Sequence, residues 1–368
     1  NISDVMAAGK ELGAGDKVYA VNMNKMLALF RIGEEPISEG MNILGAHIDS
    51  PRIDVKQNPL YENEGLAYLD THYYGGIKKY QWVAQPLSLH GVIEGEKLDL
   101  LIGNRPVEAV TGEGAEKEAI KANVLRLLKE KYGMEEEDFT SAELEIVPAG
   151  KARDCGLDRS MILSYGQDDR VCAFTSLFAM LDVTEAKRTG CCLLVDKEEI
   201  GSVGATGMHS RFFENVVAEL IALTEGESDL KARRALANSK MLSSDVSAAY
   251  DPMYAEAFEK RSSAFFTNGL TFNKFTGSRG KSGSNDANAE YIAALRRTMD
   301  DAGVAYQFAE LGRVDLGGGG TIAYIMANYG MEVIDSGVAV LNMHAPYEVS
   351  SKADVYEAVK GYRAFLKM

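Results

Sequence analysis

The run Cys191-Cys192-Leu193-Leu194-Val195 constrains this chain more than any other stretch. It is compact and wholly apolar, with the length of one strand buried on both faces, and such a strand belongs in the interior of a sheet covered on both sides. Asp196-Lys197-Glu198-Glu199-Ile200 follows at once. The exit is rich in glycine, Gly201-Ser202-Val203-Gly204-Ala205-Thr206-Gly207. Neighbouring side chains of an extended chain point opposite ways. Two adjacent glutamates at a strand end can therefore divide the work, one holding a cation while the other moves protons beside it. An isolated Glu-Glu pair is more often a solvated turn, so the rest of the chain has to decide.

The same arrangement recurs. Met41-Asn42-Ile43-Leu44-Gly45-Ala46 reads as a buried strand ending in His47-Ile48-Asp49, where a carboxylate stands close enough to fix the tautomer of an imidazole, as metal-bound histidines usually require. Lys240-Met241-Leu242-Ser243-Ser244 ends in Asp245, and the last buried strand, Val333 to Asn342, ends in Met343-His344. Gln167-Asp168-Asp169 opens a helix on which Val171, Phe174, Leu177, Phe178 and Leu181 have helical spacing. Taken singly, these would be a loop histidine, a strand-end aspartate and a plain helix cap. Further helices are expected over 210–224, 228–237 and 286–299, and over 352–366 with Val355, Val359, Tyr362 and Leu366 turned inward. Residues 1–40 read as helical and then extended. Alternation of strands and helices implies an α/β fold with a mostly parallel sheet flanked by helices, and in such sheets ligands gather at the carboxyl ends of the strands. His47, Glu198, Glu199, Asp245 and His344, with Asp168 at the head of a helix, then converge. Two histidines and three carboxylates, without cysteine, suit two divalent ions of the zinc, manganese or cobalt type.

From Pro86 the texture changes. Leu87 to Ile93 alternates like a β-rich module, and 115–132 reads as an amphipathic helix with Ile120, Val124, Leu127 and Leu128 on one stripe and Gly133 as its cap. The acidic run Glu135 to Asp138 reads as a solvated loop. Residues 86–150 are therefore expected to form an inserted dimerisation or lid domain, with 1–85 and 151–368 as the catalytic domain. The run Gly317-Gly318-Gly319-Gly320 lacks the Gly-Lys-Ser/Thr of a phosphate loop and reads instead as close backbone approach to the active site or to a helix. A net charge of -15 argues against nucleic acid or an anionic membrane as partner. No run reaches the roughly 18 apolar residues of a membrane span, and no signal peptide is visible. Cys155, Cys172, Cys191 and Cys192 show no Cys-x-x-Cys spacing and read as small core residues in a reducing cytoplasm. His72, His90 and His209 read as structural or surface residues.

Together, His47-Ile48-Asp49, Gln167-Asp168-Asp169, Asp196 to Gly201, Ser244-Asp245 and Met343-His344 resemble, in order and context, the aspartyl aminopeptidase family of co-catalytic dizinc metalloaminopeptidases. The resemblance extends over nearly the whole chain. It implies that His47 and Asp245 hold one metal ion, Glu199 and His344 the other, and that Asp168 bridges both, joined to Asp169 by a cis peptide bond. Zinc is the expected metal, with manganese or cobalt as substitutes. Glu198 is implied as general base and acid, and Asp49 as the group that orients His47. The substrates implied are peptides cut at their N-terminal residue, with a preference for Asp or Glu; Lys274, Arg279, Lys281 and Arg313 are the candidate basic partners. The inserted module is implied to mediate dimer contacts, and the dimers to build a tetrahedral dodecamer, a homo-oligomer with an enclosed chamber. One departure stands out: relatives place a histidine of that module into a neighbour's active site, whereas here the module has only His90, near its edge. Other outcomes are a dimetal aminopeptidase of neutral specificity, an N-acyl amino acid hydrolase, and a catalytically silent oligomeric scaffold.

Overall fold

The computed structural model describes residues 1–64, 66–83, 85–93, 96–97, 105–107 and 118–368. The chain divides into two units, one made of 1–50 and 152–368, the other of 51–151.

The larger unit is built on an eight-stranded mixed sheet. Its centre is parallel: Thr189–Val195, Met41–His47, Lys240–Ser243 and Glu332–Gly337 lie side by side in that order. Antiparallel pairing begins outside this core. On one side Met26–Arg31 and then Lys17–Asn22 complete the sheet; on the other Leu270–Asn273 runs against Glu332–Gly337 and parallel to the edge strand Tyr306–Ala309. The expected parallel sheet is thus the middle of a mixed one. The N-terminal stretch is a short helix, Ile2–Ala7, followed by the Lys17–Asn22/Met26–Arg31 hairpin.

Period-two alternation explains how the sheet is covered. Ile43, Cys191, Leu193, Met241 and Val333 enter one apolar cluster, and their neighbours Leu44, Cys192, Leu194, Leu242 and Ile334 enter another. The first cluster is closed by Phe213, Val216, Val217, Leu220 and Ile221 of the helix Phe212–Glu225 and by Ala232, Ala235 and Leu236 of Asp229–Ala237. The second is closed by Gln167–Asp182, Ala289–Asp301 and Lys352–Leu366. The Ser228 hydroxyl caps Asp229–Ala237 by accepting from the Lys231 N–H at 3.3 Å. Cys191 and Cys192 therefore face opposite layers, and all four cysteines are free, with Cys155 only half-buried.

Several expectations change in detail. Phe174, Phe178 and Leu181 do lie on a helix, but they are 54%, 53% and 56% exposed, because the layer is sealed by the other side of that helix, through Cys172, Ala173, Ala179 and Met180. In the last helix Tyr362 and Leu366 are buried while Val355 and Val359 are only half-buried; Ala358, Gly361 and Phe365 complete the inward face. The single strand expected over Val333 to Asn342 is two, Glu332–Gly337 in the large sheet and Ala339–Leu341 in a smaller one. That smaller sheet runs Ser247–Ala248, Ala339–Leu341, Glu348–Ser351, Met161–Ser164, Arg153–Cys155.

The second unit begins at Pro51 rather than at 86. The hairpin Arg52–Asn63/Leu66–Tyr74 pairs through Ile53 and Asp54 with Glu143–Pro148, which in turn pairs with Leu87–Ile93, so the hairpin belongs to the same antiparallel sheet. Its core holds Val55, Leu60, Leu89, Val124, Leu128, Met134, Phe139 and Leu144. Helix Ala119–Tyr132 ends at Gly133, which takes the left-handed conformation and donates to Leu128 and Lys129. The start expected at 115 lies outside the described residues. Leu127 is exposed, 46%, since Ile120, Val124 and Leu128 already fill the inward stripe. Glu135 to Glu137 are exposed, as expected, but the run is a capped turn: Glu135 caps Glu136–Thr140 and pairs with Lys129, and Glu136 pairs with Lys121.

Leu193 is fully buried in the central sheet. Leu193→Ala is expected to lower the unfolding free energy by about 2–5 kcal/mol through lost burial and the cavity left behind, read from a urea titration.

Candidate metal centre

The parallel core delivers the site. His47 ends its strand, and its register partner is Val195, three residues before Glu198. On the other flank Ser243 pairs with Gly45, two residues before Asp245. Glu198 and Glu199, His47 and Asp245 therefore stand in a row along the carboxyl edge. Asp168 heads the helix Gln167–Asp182, and His344 sits in the turn between Ala339–Leu341 and Glu348–Ser351. The peptide bond between Asp168 and Asp169 is cis.

Asp168 occupies the centre. Its Oδ1 is 3.2 Å from His47 Nε2 and its Oδ2 is 3.2 Å from His344 Nε2. Asp245 Oδ1 lies 3.8 Å from His47 Nε2, and Glu199 Oε2 lies 3.4 Å from His344 Nε2. Three groups of potential ligands result, His47–Asp168–Asp245, Asp168–Glu199–His344 and His47–Glu198–Glu199, each with its ligand atoms within 4.8 Å of one another. Glu198 Oε2 is 3.9 Å from His47 Nε2. All six residues picked out by position in the sequence come together here.

The backbone is held by carboxylates. Asp49 faces His47 Nδ1 at 3.2 Å and also accepts the N–H groups of Glu198 and Glu199, each at 3.1 Å. Glu348, which the strand-end pattern does not pick out, accepts the N–H of Asp168 at 3.1 Å and that of His344 at 2.9 Å. Its only sequence signal is a carboxylate four residues after His344. Asp169 accepts the N–H of His47 at 3.3 Å. Lys197, Ser202, Asn342 and His344 all have positive φ, the local strain that surrounding structure imposes at functional sites.

So many buried carboxylates disturb one another. Burial pushes Glu198 up to about 8, against the pull of His47 and with the charges of Asp245 and Asp168 adding to it. Burial and the charge of Asp168 push Glu199 up to about 9. Burial likewise raises Asp245 and takes Glu348 to about 8. Burial would raise Asp168 too, but the imidazoles of His344 and His47, each 3.2 Å from one of its oxygens, pull it down instead. Burial would lower both histidines, but the facing carboxylates win. Asp168, Asp245 and Asp49 hold His47 well above its usual value, and Asp168 and Glu199 take His344 to about 10.

The donor set fits divalent metal. His47 Nε2, Asp168 Oδ1 and Glu199 Oε1 are buried without a hydrogen-bond partner, a costly condition that a cation would relieve. Imidazole nitrogen and carboxylate oxygen, without thiolate, is a set suited to zinc and its neighbours.

The centre opens into a cavity of about 530 Å³. Asp168, Glu198, Glu199, Asp245 and His344 line one wall; Val246, Phe258, Leu311, Leu316 and Met343 supply apolar surface. Gly317 to Gly320 line it too, as the close backbone approach predicts. Gly319 accepts from the N–H of Gly277 at 2.9 Å, and a Cβ on Gly318, whose φ is +87°, would meet the Gly277 carbonyl oxygen at 2.7 Å. Among the described residues lining the cavity there is no Lys or Arg. Lys274 is instead bonded to Asp286 and to the Ala287 carbonyl, and Arg279, Lys281 and Arg313 are exposed. His72 and His90 are exposed in the second unit; His209 pairs with Tyr324 at 3.1 Å.

The family model described as aminopeptidase I zinc metalloprotease (M18) matches residues 8–99 and 94–366. The chain belongs to this family. A probable M18 family aminopeptidase 1 of Clostridium acetobutylicum is 56% identical over 409 residues, covering 100% of this chain and 87% of its own. The crystal structure of aminopeptidase I from that organism has a TM-score of 0.91 at 55% identity, over 100% of this chain and 88% of the other. The M18 enzyme of Thermotoga maritima has a TM-score of 0.89 at 40% identity, over 100% and 91%. At 22% identity the S. cerevisiae mApe1 dodecamer shares the fold, with a TM-score of 0.76 over 96% of this chain and 85% of that one. This M18 member is accordingly a metalloaminopeptidase of aspartyl aminopeptidase type, a hydrolase that uses metal. Among its described residues no helix is long and apolar enough to cross a membrane.

The raised groups set the sign of its pH response. Glu198, Glu199, His47 and His344 all bind protons more tightly folded than unfolded. Their contribution to stability is present at low pH and is lost as pH rises through the folded values, from about 8 to about 10. The melting temperature of metal-free protein is therefore expected to fall between pH 7 and pH 9. Zinc competes with those protons, so the stabilisation it gives should grow over the same interval. Thermal scans with and without zinc check both.

Proposed function

We propose that this M18 aminopeptidase removes the N-terminal residue of peptides at a centre of two zinc ions. His47 and Asp245 hold one ion, Glu199 and His344 the other, and Asp168 bridges them. The observation that carries this is Asp168 itself, with its two oxygens turned to two different histidines. Bound there, the ions supply a water of lowered pKa and polarise the scissile carbonyl.

Glu198 is the general base. It borders the cavity and has a pKa of about 8, near the working range of a proton carrier. After accepting the proton it passes it to the departing amine. Asp49 keeps the Nδ1 side of His47 occupied and fixes the turn that presents Glu198. The carboxylate wall attracts a free α-ammonium group, which favours cleavage at the chain end over internal bonds.

Two specificities compete. The family resemblance suggests N-terminal Asp or Glu. The cavity favours a neutral, apolar residue, because Val246, Phe258, Leu311, Leu316 and Met343 line it and no described Lys or Arg does. For assembly we propose a homo-oligomer, with residues 51–151 taking part in dimer contacts and a dodecamer as the end point; the shared fold with the S. cerevisiae mApe1 dodecamer supports this.

Glu198→Gln is expected to keep its zinc, measured as metal per chain, and to lose about 10²–10⁴-fold in kcat; near wild-type turnover would remove Glu198 from its role. Cleavage of Asp-, Glu-, Leu- and Lys-anilides decides specificity: turnover of Leu well above Asp and Glu bears out the cavity lining, and the reverse order bears out the resemblance.

A further inference from the structure

Glu348 has no place in the chemistry above, yet it is buried to 1% exposure beside the centre. It begins the strand Glu348–Ser351 of the small sheet. Its Oε2 accepts from the backbone N–H of Asp168 and its Oε1 from that of His344. These two residues come from different elements, nearly half the chain apart, and neither has regular backbone: Asp168 has φ −77° and ψ 105° within a helix, and His344 has φ 66°. The grip is mutual. Gln167, the residue before Asp168, donates from Nε2 to the Glu348 carbonyl at 2.6 Å and to the Ile162 carbonyl at 3.1 Å, and its Oε1 accepts from the Ser350 hydroxyl.

We infer that Glu348 is a positioning residue: one carboxylate, accepting from two backbone amides at once, sets the distance between the Asp168 and His344 side chains. This rests on the dimetal reading of the site. Each N–H here meets a different oxygen, and a carboxylate alone among side chains offers two acceptor oxygens in one plane. A carboxamide would turn its own NH₂ against one of the donors. Small errors here matter, since a ligand set must be held within about 0.5 Å of its working geometry.

The test uses the full chain and zinc and cobalt as probes. Glu348→Gln is expected to bind zinc about 10–100-fold more weakly in competition with a chromophoric chelator, to shift the visible bands of the cobalt-loaded protein, and to lose kcat while KM changes little. Thr175→Ala, which removes a buried hydrogen bond from the helix that Asp168 heads without touching Glu348, Gln167 or either amide, should leave zinc affinity and the cobalt bands as in the wild type. Glu348→Asp, with both oxygens at shorter reach, should fall between. Unchanged zinc affinity and cobalt bands in Glu348→Gln would overturn the inference, as would equal losses in Glu348→Gln and Thr175→Ala. If Glu348→Gln does not fold, Glu348→Asp decides: weakened zinc supports the inference and wild-type zinc overturns it. A wild type that binds neither metal overturns the dimetal reading itself; one that binds both, beside an indistinguishable Glu348→Gln, overturns only the role of Glu348.

Discussion

The two oxygens of Asp168 face two imidazoles, each at 3.2 Å, and this shared contact organises the larger unit. One imidazole is fixed to the central strand of the large sheet, the other to a turn of the small sheet. Asp168 itself rides at the head of a helix that packs beneath both. Any slip between these elements would pull one histidine away from its oxygen. The fully buried layers on either face of the large sheet, and the backbone bonds accepted by Asp49 and Glu348, all oppose such a slip. The cost of crowding carboxylates in a dry place is visible in their displaced proton affinities, and a bound cation would relieve it.

Most of the centre was legible before any coordinates, because a parallel sheet turns a three-dimensional problem into a one-dimensional one. Each apolar run states where a strand stops, and each strand stops at the same edge. His47, Glu198, Glu199 and Asp245 can thus be read as neighbours although they lie far apart in sequence. The alternation at Cys191 and Cys192 likewise follows from period two alone.

Other features depend on pairings that no local pattern announces. The hairpin Arg52–Asn63/Leu66–Tyr74 joins the sheet of the second unit through bonds to Glu143–Pro148, far along the chain, and its core through Val55 and Leu60. Glu348 acts through amides, and nothing in a sequence shows which amide a carboxylate will reach. The basic residues Lys274, Arg279, Lys281 and Arg313 stand out by charge, but charge does not say which way a loop side chain turns; Lys274 meets Asp286, and the other three meet solvent. The exposed stripe of Phe174, Phe178 and Leu181 has the spacing of a buried face, and periodicity cannot tell which side of a helix finds a neighbour.

The order of these residues along the chain has a consequence for biosynthesis. His47 emerges from the ribosome nearly three hundred residues before His344 and Glu348. Until those two have been made, one histidine group lacks its imidazole and Asp168 lacks half of its support. A growing chain therefore carries an incomplete cation trap.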